Sequence, residues 1–338
     1  MTTTPPTRSA PTLEMVAALA GVSRSTVSRV VNSSPKVTPE VIESVTAAIA
    51  TLGYVPNRAA RTLASRKTHS IALVIPENTA KFFADPYFAS VIQGVAMYLS
   101  KTEYTLTLLI ASETDSEKTR RYLQGGNVDG ALLLSHHSDD RSYVELGRSL
   151  PMVFGGRPMS EGAPSYVVDV DNVAAAETAV QYLIDHGKTR IATIAGPQDM
   201  AAGLDRLEGW RRALTRAGLE PRLFEAADFT PSGGASAMQR ILEAGLPFDG
   251  LFAASAQMAS GALGVLREHG LSVPGDLGIT TIDNDYYAKN ANPPLTTVDQ
   301  PSTQQGARMA EVLVRLINGE HVEKLTIMPT HLIERSSV

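Results

Sequence analysis

Apolar residues recur at helical spacing in the first fifty residues, and the polar breaks between them predict three short helices. The first covers residues 13–20, with Thr12 as its N-cap and Gly21 as its end. The second covers residues 23–32, and the third covers residues 39–52 after a Thr-Pro-Glu start. Because each helix carries an apolar stripe on one side, the pattern predicts a small all-α domain round a single core.

From residue 70 onward, short apolar runs alternate with amphipathic stretches. The apolar runs predict strands at residues 71–75, 106–110, 130–134, 152–154, 166–170, 191–195, 251–254 and 277–282. The amphipathic stretches predict helices at residues 88–100, 174–186, 208–217, 258–269 and 304–318. Such alternation is typical of parallel sheets, whose ligands bind beyond the carboxyl ends of the strands. Because the pattern restarts at residue 166, it predicts an α/β body of two doubly wound parallel-sheet lobes that face a cleft.

The composition fits this two-part organisation. With 338 residues, 43% of them apolar, the chain can bury the cores of a small head and a large body. It contains no cysteine, which excludes disulfides and thiolate metal sites, and no apolar run approaches the ~18 residues of a membrane span. The Thr- and Pro-rich residues 1–11 lack a signal-peptide pattern, so we expect a disordered tail and a cytoplasmic protein with no membrane partner.

The net charge of −5 conceals an uneven distribution along the chain. Residues 1–69 contain eight Lys and Arg against three Asp and Glu, which gives +5 and leaves −10 for the remainder. Basic residues near phosphates release condensed counterions, whereas an acidic body avoids nonspecific binding to nucleic acid. The distribution therefore favours a nucleic-acid-binding head, although charge alone is also compatible with an ordinary solvated surface.

Two segments of the head, TLEMVAALAGVSRSTVSRVVN and VTPEVIESVTAAIATLGYVPNRAARTLAS, resemble the helix-turn-helix DNA-binding domain of the lactose/galactose repressor family. The alternative for these residues is a structural three-helix bundle. The body also resembles that family, whose body is like a periplasmic sugar-binding protein, through HGKTRIATIAGP, DRLEGWRRAL, residues 283–285 and PPLTTVDQP. Within the family, KFFADPYF is most similar to actinobacterial repressors that sense cellobiose. A maltose-type or other β-glucoside ligand stays open, and a purine is less favoured.

The resemblance implies roles in DNA binding for individual residues of the head. The residues expected to read operator bases are Arg24, Ser25 and Arg29. An Arg that is bidentate to guanine is worth about 1–3 kcal/mol of discrimination. Short polar residues round the helix ends suit phosphate contacts, which fix register without reading sequence. The residues expected to contact the DNA backbone are Thr12, Ser23, Thr26, Ser28, Asn32, Tyr54 and Asn57.

Residues 57–64 resemble the hinge helix of the same family. Two turns are far below the ~12–15 residues that a lone helix needs in water, so we expect this helix to fold only when docked. The resemblance implies that the hinge enters the minor groove, where Leu63 wedges between central base pairs and kinks the duplex. The alternative for Leu63 is an ordinary place in a helix core. The other expected minor-groove residues are Arg58, Ala60 and Arg61.

The resemblance also implies a sugar-binding site in the body. Asp171, Arg206 and Asp283 are its expected polar contacts, because carboxylates and a guanidinium suit adjacent hydroxyls. The open alternatives are a surface salt bridge for Arg206, a helix cap for Asp171 and a core position for Phe229. Aromatic faces match the apolar face of a pyranose ring. The further expected contacts are Phe83, Asp85, Tyr87 and Phe229.

One stretch departs from the family pattern. Where relatives usually carry Asn-Asp or Ser-Asp before Gln-Met, this chain has Ser and Ala at residues 255 and 256. A carboxylate expected near the cleft is therefore missing, and we carry over no ligand contact from that strand end.

An enzyme is not predicted, because the chain lacks the Gly-x-Ser-x-Gly, Walker and His-Glu-x-x-His motifs. His136 and His137 suggest a metal site only weakly, since adjacent residues at a strand end point in opposite directions and no carboxylate stands at ligand spacing. A secreted solute-binding protein would share the body but not the basic head. Trp210, the only tryptophan, is expected in the core.

These observations define the predicted domains and mechanism. The predicted units are a tail at residues 1–11, a helix-turn-helix domain at 12–56, a hinge helix and linker at 57–69, and an effector-binding and dimerisation domain at 70–338. We expect the chain to cross between lobes near residues 165–172 and 293–300. Since a two-turn hinge and a palindromic operator both need two copies, we expect a homodimer on operator DNA. A sugar that closes the lobes would change how readily the hinge folds on DNA, with no cofactor implied.

Overall fold

The computed structural model describes residues 11–31, 34, 36–55, 67–110, 116–135, 137, 142–159 and 166–338. The chain forms two compact units, one ending at Thr68 and the other running from His69 to Val338. In the described ranges, no helix is long and apolar enough to cross a membrane. Six residues with expected roles at DNA lie outside the described residues: Asn32, Asn57, Arg58, Ala60, Arg61 and Leu63.

The head contains three helices, α1 (Leu13–Ala20), α2 (Arg24–Val31) and α3 (Pro39–Leu52). Thr12 caps α1 by accepting the N–H of Met15 at 3.3 Å, and Ser23 accepts the N–H of Thr26 at 3.1 Å. Gly21 ends α1 in the left-handed region, with a φ of 67°. The helices enclose a small apolar core formed mainly by Val16, Ala17, Val27, Val45, Ala48 and Tyr54.

The start of α3 differs in one detail from the expected cap. Thr38 occupies the N-cap position, but its side chain makes no capping hydrogen bond. The backbone N–H of Glu40, and after it the hydroxyl of Thr38, hold the pKa of the Glu40 carboxylate below its usual range. Pro39 at the first helical position therefore sets the helix start through its fixed φ.

The body contains two six-stranded sheets, one in each lobe. The strands of the first lobe are β1 (Ser70–Ile75), β2 (Thr105–Ile110), β3 (Gly130–Leu134), β4 (Met152–Gly155), β5 (Tyr166–Val170) and β11 (Leu325–Met328), in the order β11-β5-β4-β3-β1-β2. The strands of the second are β6 (Ile191–Ala195), β7 (Phe224–Ala226), β8 (Gly250–Ala253), β9 (Gly278–Ile282), β10 (Thr296–Asp299) and β12 (His331–Ile333), in the order β12-β10-β9-β8-β6-β7. The paired strands are parallel except β10 and β12. The expected doubly wound lobes are confirmed.

Helices cover the faces of both sheets. In the first lobe they are α4 (Thr79–Ala84), α5 (Pro86–Leu99), α6 (Ser116–Gln124) and α7 (Ser142–Leu146), joined by α13 (Ser302–Ile317) from the end of the chain. In the second lobe they are α8 (Asn172–Asp185), α9 (Ala201–Arg216), α10 (Pro231–Glu243), α11 (Ala256–Glu268) and α12 (Tyr286–Asn290). Trp210 is fully buried, as expected, and its Nε1 donates to the carbonyl of Ile191 at 3.1 Å.

The chain passes between the lobes three times. It leaves the first lobe after β5, returns after β10 to build α13 and β11, and leaves again between Met328 and His331 to add β12. The apolar pattern gave no reason to expect the third passage, because β11 and β12 are short edge strands whose residues are half-buried or exposed. All three passages lie on the side of the body where β5 and β10 stand.

Candidate functional site

The exposed face of α2 carries the residues expected to read DNA bases. Arg24, Ser25 and Arg29 are all exposed there. The Arg24 guanidinium already has a partner within the head, because its Nε lies 3.2 Å from Oε1 of Glu14 on α1. A base contact by Arg24 would therefore compete with this ion pair.

The side chains expected to contact the DNA backbone differ in exposure and in the hydrogen bonds that they already make within the head. The hydroxyls of Thr12 and Ser23 already serve the starts of α1 and α2, and Ser23 Oγ also lies 2.8 Å from Thr26 Oγ1. Thr26 and Ser28 are half-buried on α2. Tyr54 is 8% exposed and packs in the core of the head, which leaves little of its side chain for DNA.

A cavity opens between the two lobes of the body, where the carboxyl ends of the strands in both sheets meet. It encloses about 830 Å³, including the part that is open to solvent. Segments that follow strands in each lobe supply its wall, as is typical of ligand sites in doubly wound sheets. The charged residues that line it are Glu77, Lys81, Asp85, Arg157, Asp169, Arg206 and Asp283, and further lining side chains include Tyr87, Phe88, Ser135, Asn172, Phe229, Ser255, Gln257 and Gln300.

Arg206 on α9 is 5% exposed, and its guanidinium is held from three directions. Nε donates to Asn172 Oδ1 at 2.9 Å, Nη1 to the carbonyl of Ala254 at 2.7 Å, and Nη2 to Gln300 Oε1 at 3.4 Å. The ring of Phe229 lies 5.6 Å from the guanidinium carbon, close enough for a cation–π contact. Because these three hydrogen-bond partners are neutral, they orient the group without neutralising its charge.

Two buried carboxylates share the wall with Arg206. Asp283 follows β9 and accepts a hydrogen bond from Gln300 Nε2. Burial raises the pKa of Asp283, and the charge of Arg206 opposes this rise. Asp169 in β5 accepts the backbone N–H of Arg157 at 3.0 Å, and burial raises its pKa as well. A cation with fixed N–H donors beside two carboxylate acceptors suits adjacent hydroxyl groups.

Asp85 and Tyr87 face the cavity from the first lobe. Asp85 caps α5 by accepting the N–H of Tyr87 at 2.9 Å, and burial raises the pKa of Asp85 to about 6 with a smaller contribution from the charge of Asp283. The Tyr87 hydroxyl donates to Gln305 Oε1 at 3.2 Å, and burial raises the pKa of Tyr87, so it stays a neutral phenol. Gln257 also bonds to Asp85, at the strand end where the carboxylate of relatives is missing.

A charged cluster formed by Glu77, Lys81, Ser135 and His137 lies at the ends of β1 and β3. Glu77 is 1% exposed and its Oε1 takes three contacts: Lys81 Nζ at 2.8 Å, His137 Nε2 at 3.2 Å and the hydroxyl of Ser135. The hydrogen bonds and charges of these neighbours outweigh burial and lower the pKa of Glu77 to about 2. Glu77 is therefore ionised under all ordinary conditions.

His137 corrects an expectation drawn from the sequence. It was expected to lack a carboxylate partner, but its Nδ1 lies 2.7 Å from Oδ2 of Asp199 in the second lobe and its Nε2 reaches Glu77. The bond to Glu77, and then that to Asp199, raises the pKa of His137 against the effect of its burial. His136 lies outside the described residues. In the described part of the chain, no cluster of His, Cys, Asp and Glu is arranged to hold a metal ion.

The structure brings five of the seven expected effector residues to the cavity, namely Asp85, Tyr87, Arg206, Phe229 and Asp283. Asp171 lies outside the cavity because it is exposed and caps α8, where it accepts the N–H of Ala174 at 2.9 Å. Asp169, two residues earlier, faces the cavity in its place. Phe83 is 75% exposed and packs edge-on against Phe82 rather than lining the cavity.

Several lining residues were not anticipated, and most share one signal. Glu77 comes two residues after β1, Ser135 directly follows β3, and Gln300 directly follows β10. Polar residues just beyond the carboxyl end of a parallel strand are placed at the cleft by the topology itself. Counting outward from each predicted strand end would have found Glu77 and Ser135, but β10 was itself missed.

Comparison with known families matches both parts of the chain. The family described as bacterial regulatory proteins, lacI family, matches residues 12–57, and the family described as periplasmic binding protein-like domain matches residues 180–338. The HTH-type transcriptional regulator CelR of Thermobifida fusca is 47% identical over 337 residues, covering 98% of this chain and 99% of the relative. The ribose operon repressor of Escherichia coli K12 is 34% identical and covers 96% of this chain and 99% of the relative.

Solved structures resemble the whole chain in the same way. A complex of the transcriptional regulator CelR with cellobiose matches with a TM-score of 0.78 and 44% identity, over 97% of this chain and all of the other. The lac repressor dimer bound to operator and the anti-inducer ONPF matches with a TM-score of 0.85 and 26% identity, over 97% of this chain and 99% of the other. The resemblance therefore extends from the head through both lobes.

Proposed function

This chain belongs to the lacI family of bacterial regulatory proteins, and we propose that it is a repressor whose hold on operator DNA responds to cellobiose or a related oligosaccharide. Its head is the DNA-binding part and its body is the sugar-responsive part. The chain is a transcriptional regulator rather than an enzyme, as its relatives are. Since a repressor must bind chromosomal DNA, we propose that the protein acts in the cytoplasm.

The observation that carries this proposal is the pairing of Arg206 with Asp283 in one buried wall. The guanidinium uses neutral partners in the protein, so N–H groups and charge stay available for a ligand oxygen. Asp283 accepts one hydrogen bond, from Gln300, and a carboxylate accepts several. Donor and acceptor side by side match the vicinal hydroxyls of a sugar, and Phe229 offers an apolar face to the ring.

The mixture of charges favours a neutral ligand. Four carboxylates and three basic side chains line the cavity. Because positive and negative charges nearly balance there, the cavity does not strongly favour an anionic or a cationic ligand. Both signs of charge make strong hydrogen bonds to hydroxyls, which are donors and acceptors at once. The resemblance to the CelR–cellobiose complex supports a β-linked glucose disaccharide among neutral sugars.

We propose that two copies act together on a palindromic operator. The lac repressor, which matches along nearly the whole chain, is a dimer on its operator. The bases would be read by Arg24, Ser25 and Arg29, with the expected backbone contacts fixing register. Sugar binding between the lobes would select one lobe arrangement and so change how the hinge residues 57–64 fold on DNA. A shift in operator occupancy from 99:1 to 1:99 needs about 5.5 kcal/mol of preference between the two states.

Operator binding in the presence and absence of cellobiose tests the proposal. Duplexes would first be selected from a random pool by the purified full-length protein, and a labelled selected duplex would then be titrated by fluorescence anisotropy. We expect palindromic sequences to emerge and cellobiose to change the affinity at least tenfold. The Arg24→Ala variant should lose the selected duplex but still bind cellobiose in calorimetry. If selection yields no common sequence, or if cellobiose, maltose and glucose all leave both calorimetry and DNA affinity unchanged, the proposal is wrong.

A further inference from the structure

The polar groups that line the cavity divide into two sets in the first lobe. Asp169 lies in β5, whereas Glu77 follows β1. Three strand positions separate β5 from β1 in the sheet, and at about 4.8 Å per position this places the strand ends roughly 14 Å apart. That span exceeds a single pyranose ring. A ligand ring beside Asp169 would need a second ring to reach Glu77.

The second lobe has the same arrangement. Gln300 follows β10, whereas Asp199 follows β6, and three strand positions again separate these two strands. Arg206 lies between them, because it bonds both to Gln300 and to the carbonyl of Ala254 just after β8. The three chain passages between the lobes lie at the β5 and β10 side. Asp199 and His137 therefore meet across the cleft away from the passages, where a rotation of the lobes changes their separation most.

The two carboxylate oxygens of Glu77 differ in their hydrogen bonds. Lys81, Ser135 and His137 all bond to Oε1, and the described part of the chain supplies no hydrogen bond to Oε2. Glu77 is 1% exposed and lines the cavity. An ionised carboxylate oxygen can accept several hydrogen bonds, so Oε2 is the atom of Glu77 that a hydroxyl of a ligand in the cavity can reach.

We propose that Glu77 is a specificity-determining residue that accepts a hydroxyl of the second ring of a disaccharide, with His137 as the positioning residue that ties Glu77 to Asp199 in the opposite lobe. This inference rests on the proposed function, because it assumes that the cavity binds a sugar. It explains why the cavity has a charged cluster beyond Arg206 and Asp283. It also links the length of the sugar to lobe closure, since only a ligand that reaches Glu77 adds a bond beside the His137–Asp199 contact.

Calorimetry on Glu77→Gln with cellobiose and with glucose tests the assignment. A hydrogen bond to a charged group is worth enough that its loss should lower cellobiose affinity by about tenfold or more. Glucose, which fills only the ring position at Arg206, should bind the variant and the wild type equally within about twofold. Glu208→Gln removes an exposed carboxylate on α9 that lies outside the cavity, and this control should leave both affinities unchanged.

The pH dependence of cellobiose binding tests the positioning role of His137. His137 faces Glu77 and Lys81 on one side and Asp199 on the other, so its charge strengthens the link between the lobes. Cellobiose affinity of the wild type should fall as the pH rises through the raised pKa of His137, and His137→Gln should lose this part of the pH dependence. A merely structural role would lower the affinity equally at every pH.

The outcomes separate this inference from the proposed function. If the wild type binds cellobiose and Glu77→Gln binds it equally well, the assignment of Glu77 is wrong while the sugar site stands. If the variant loses cellobiose and glucose to the same extent, Glu77 does not distinguish the second ring. If the wild type binds no saccharide, both ideas fail. Should Glu77→Gln fail to fold in a thermal melt, Glu77→Asp keeps the charge but withdraws the carboxylate, and the same selective loss is expected.

Discussion

Arg206 illustrates how a buried cation can be kept ready for a ligand. Burying a guanidinium is costly unless its N–H groups are satisfied, and here two side-chain amides and a carbonyl supply acceptors without supplying negative charge. The planar fork is thereby fixed in one orientation before the ligand arrives, which lowers the entropy lost on binding. Asp283 and Asp169 lie near enough to favour the charged guanidinium electrostatically.

Arg206→Ala should abolish the response to sugar while operator binding persists. The variant loses charge-assisted hydrogen bonds to the ligand worth about 1.5–3 kcal/mol each, so cellobiose affinity should fall by at least a hundredfold for two such bonds. Calorimetry with cellobiose and anisotropy with operator DNA measure the two effects. Arg212→Ala is the matched control, because Arg212 lies on the same helix but is exposed and pairs with Glu208. Unchanged cellobiose affinity in Arg206→Ala would contradict the site.

The Arg24–Glu14 ion pair leads to a prediction about the free head. Glu14 competes with the DNA for Arg24, and the ion pair is weak because both side chains are exposed. Glu14→Gln should therefore raise operator affinity by about two- to fivefold in anisotropy measurements at moderate salt. Glu43→Gln makes the same charge change on the exposed surface of α3. If Glu43→Gln raises the affinity as much, the gain comes from net charge and not from release of Arg24.

At this scale the sequence predicted part of the site and missed the rest for physical reasons. Arg206, Asp283, Asp85, Tyr87 and Phe229 were assigned through a family resemblance, and all five line the cavity. The choice between Asp169 and Asp171 could not be made, because residues two apart in a strand share a face. The chain turns into α8 directly after β5, and that turn diverts Asp171 into the helix cap.

Among the helices, the close approach of α5 and α13 shows why glycine stands in both. A Cβ on Gly94 of α5 would overlap the carbonyl oxygen of Thr303, and a Cβ on Gly306 of α13 would overlap that of Val91. The two helices therefore pack backbone to backbone beneath the core residues Val95 and Met309. This contact attaches α13, which arrives late in the chain, to the first lobe.

Gly94→Ala should destabilise the body despite the better helix propensity of alanine. Forcing a methyl group against a backbone carbonyl costs about 1–3 kcal/mol, more than the ~1 kcal/mol that alanine gains in a helix. Gly264→Ala in α11 is the control, since a Cβ there meets no atom within 4 Å and the change should be neutral or stabilising. Urea unfolding followed by circular dichroism measures both. Equal stability of the two variants would show that α5 and α13 can separate at no cost.

The elements that the sequence pattern missed are those whose conformation depends on their neighbours. All five predicted body helices exist, but four begin two residues earlier and α9 begins at Ala201 rather than at residue 208. Helix α10 was not predicted because Pro231, Gly233 and Gly234 weaken its helical signal. A Cβ on Gly234 would overlap the backbone of Met258, so this residue serves the packing of α10 on α11 rather than local propensity. Hydrophobic periodicity in the sequence indicates which face of one helix or strand is buried, but it does not indicate which residues contact a second element.

For the whole molecule, the cleft determines how stability depends on pH. Asp85 from the first lobe lies near Asp283 and Asp285 of the second, and burial together with this like charge raises the pKa of Asp285 to about 7 and that of Asp85 to about 6. Both groups hold protons in the folded state at pH values where the unfolded chain has released them. Their ionisation therefore weakens the folded state as the pH rises from about 4 to 7. The stabilisation from His137, whose folded pKa is raised, is likewise present below about pH 6.5 and lost above it.

The ligand-free protein should consequently melt at a lower temperature at pH 8 than at pH 5. The contribution of Asp85 to this difference is about 1 kcal/mol, because the folded state must give up the proton near pH 6. Asp85→Asn imitates the protonated form and can still cap α5, so it should raise the melting temperature at both pH values, and by more at pH 8 than at pH 5. Asp185→Asn, an exposed substitution on α8, should preserve the full difference between the two pH values. Differential scanning calorimetry at both pH values measures these shifts.

If the melting temperature of Asp85→Asn differed between pH 5 and pH 8 as much as that of the wild type, the lobes of the free protein would not bring Asp85 close to the carboxylates of the second lobe.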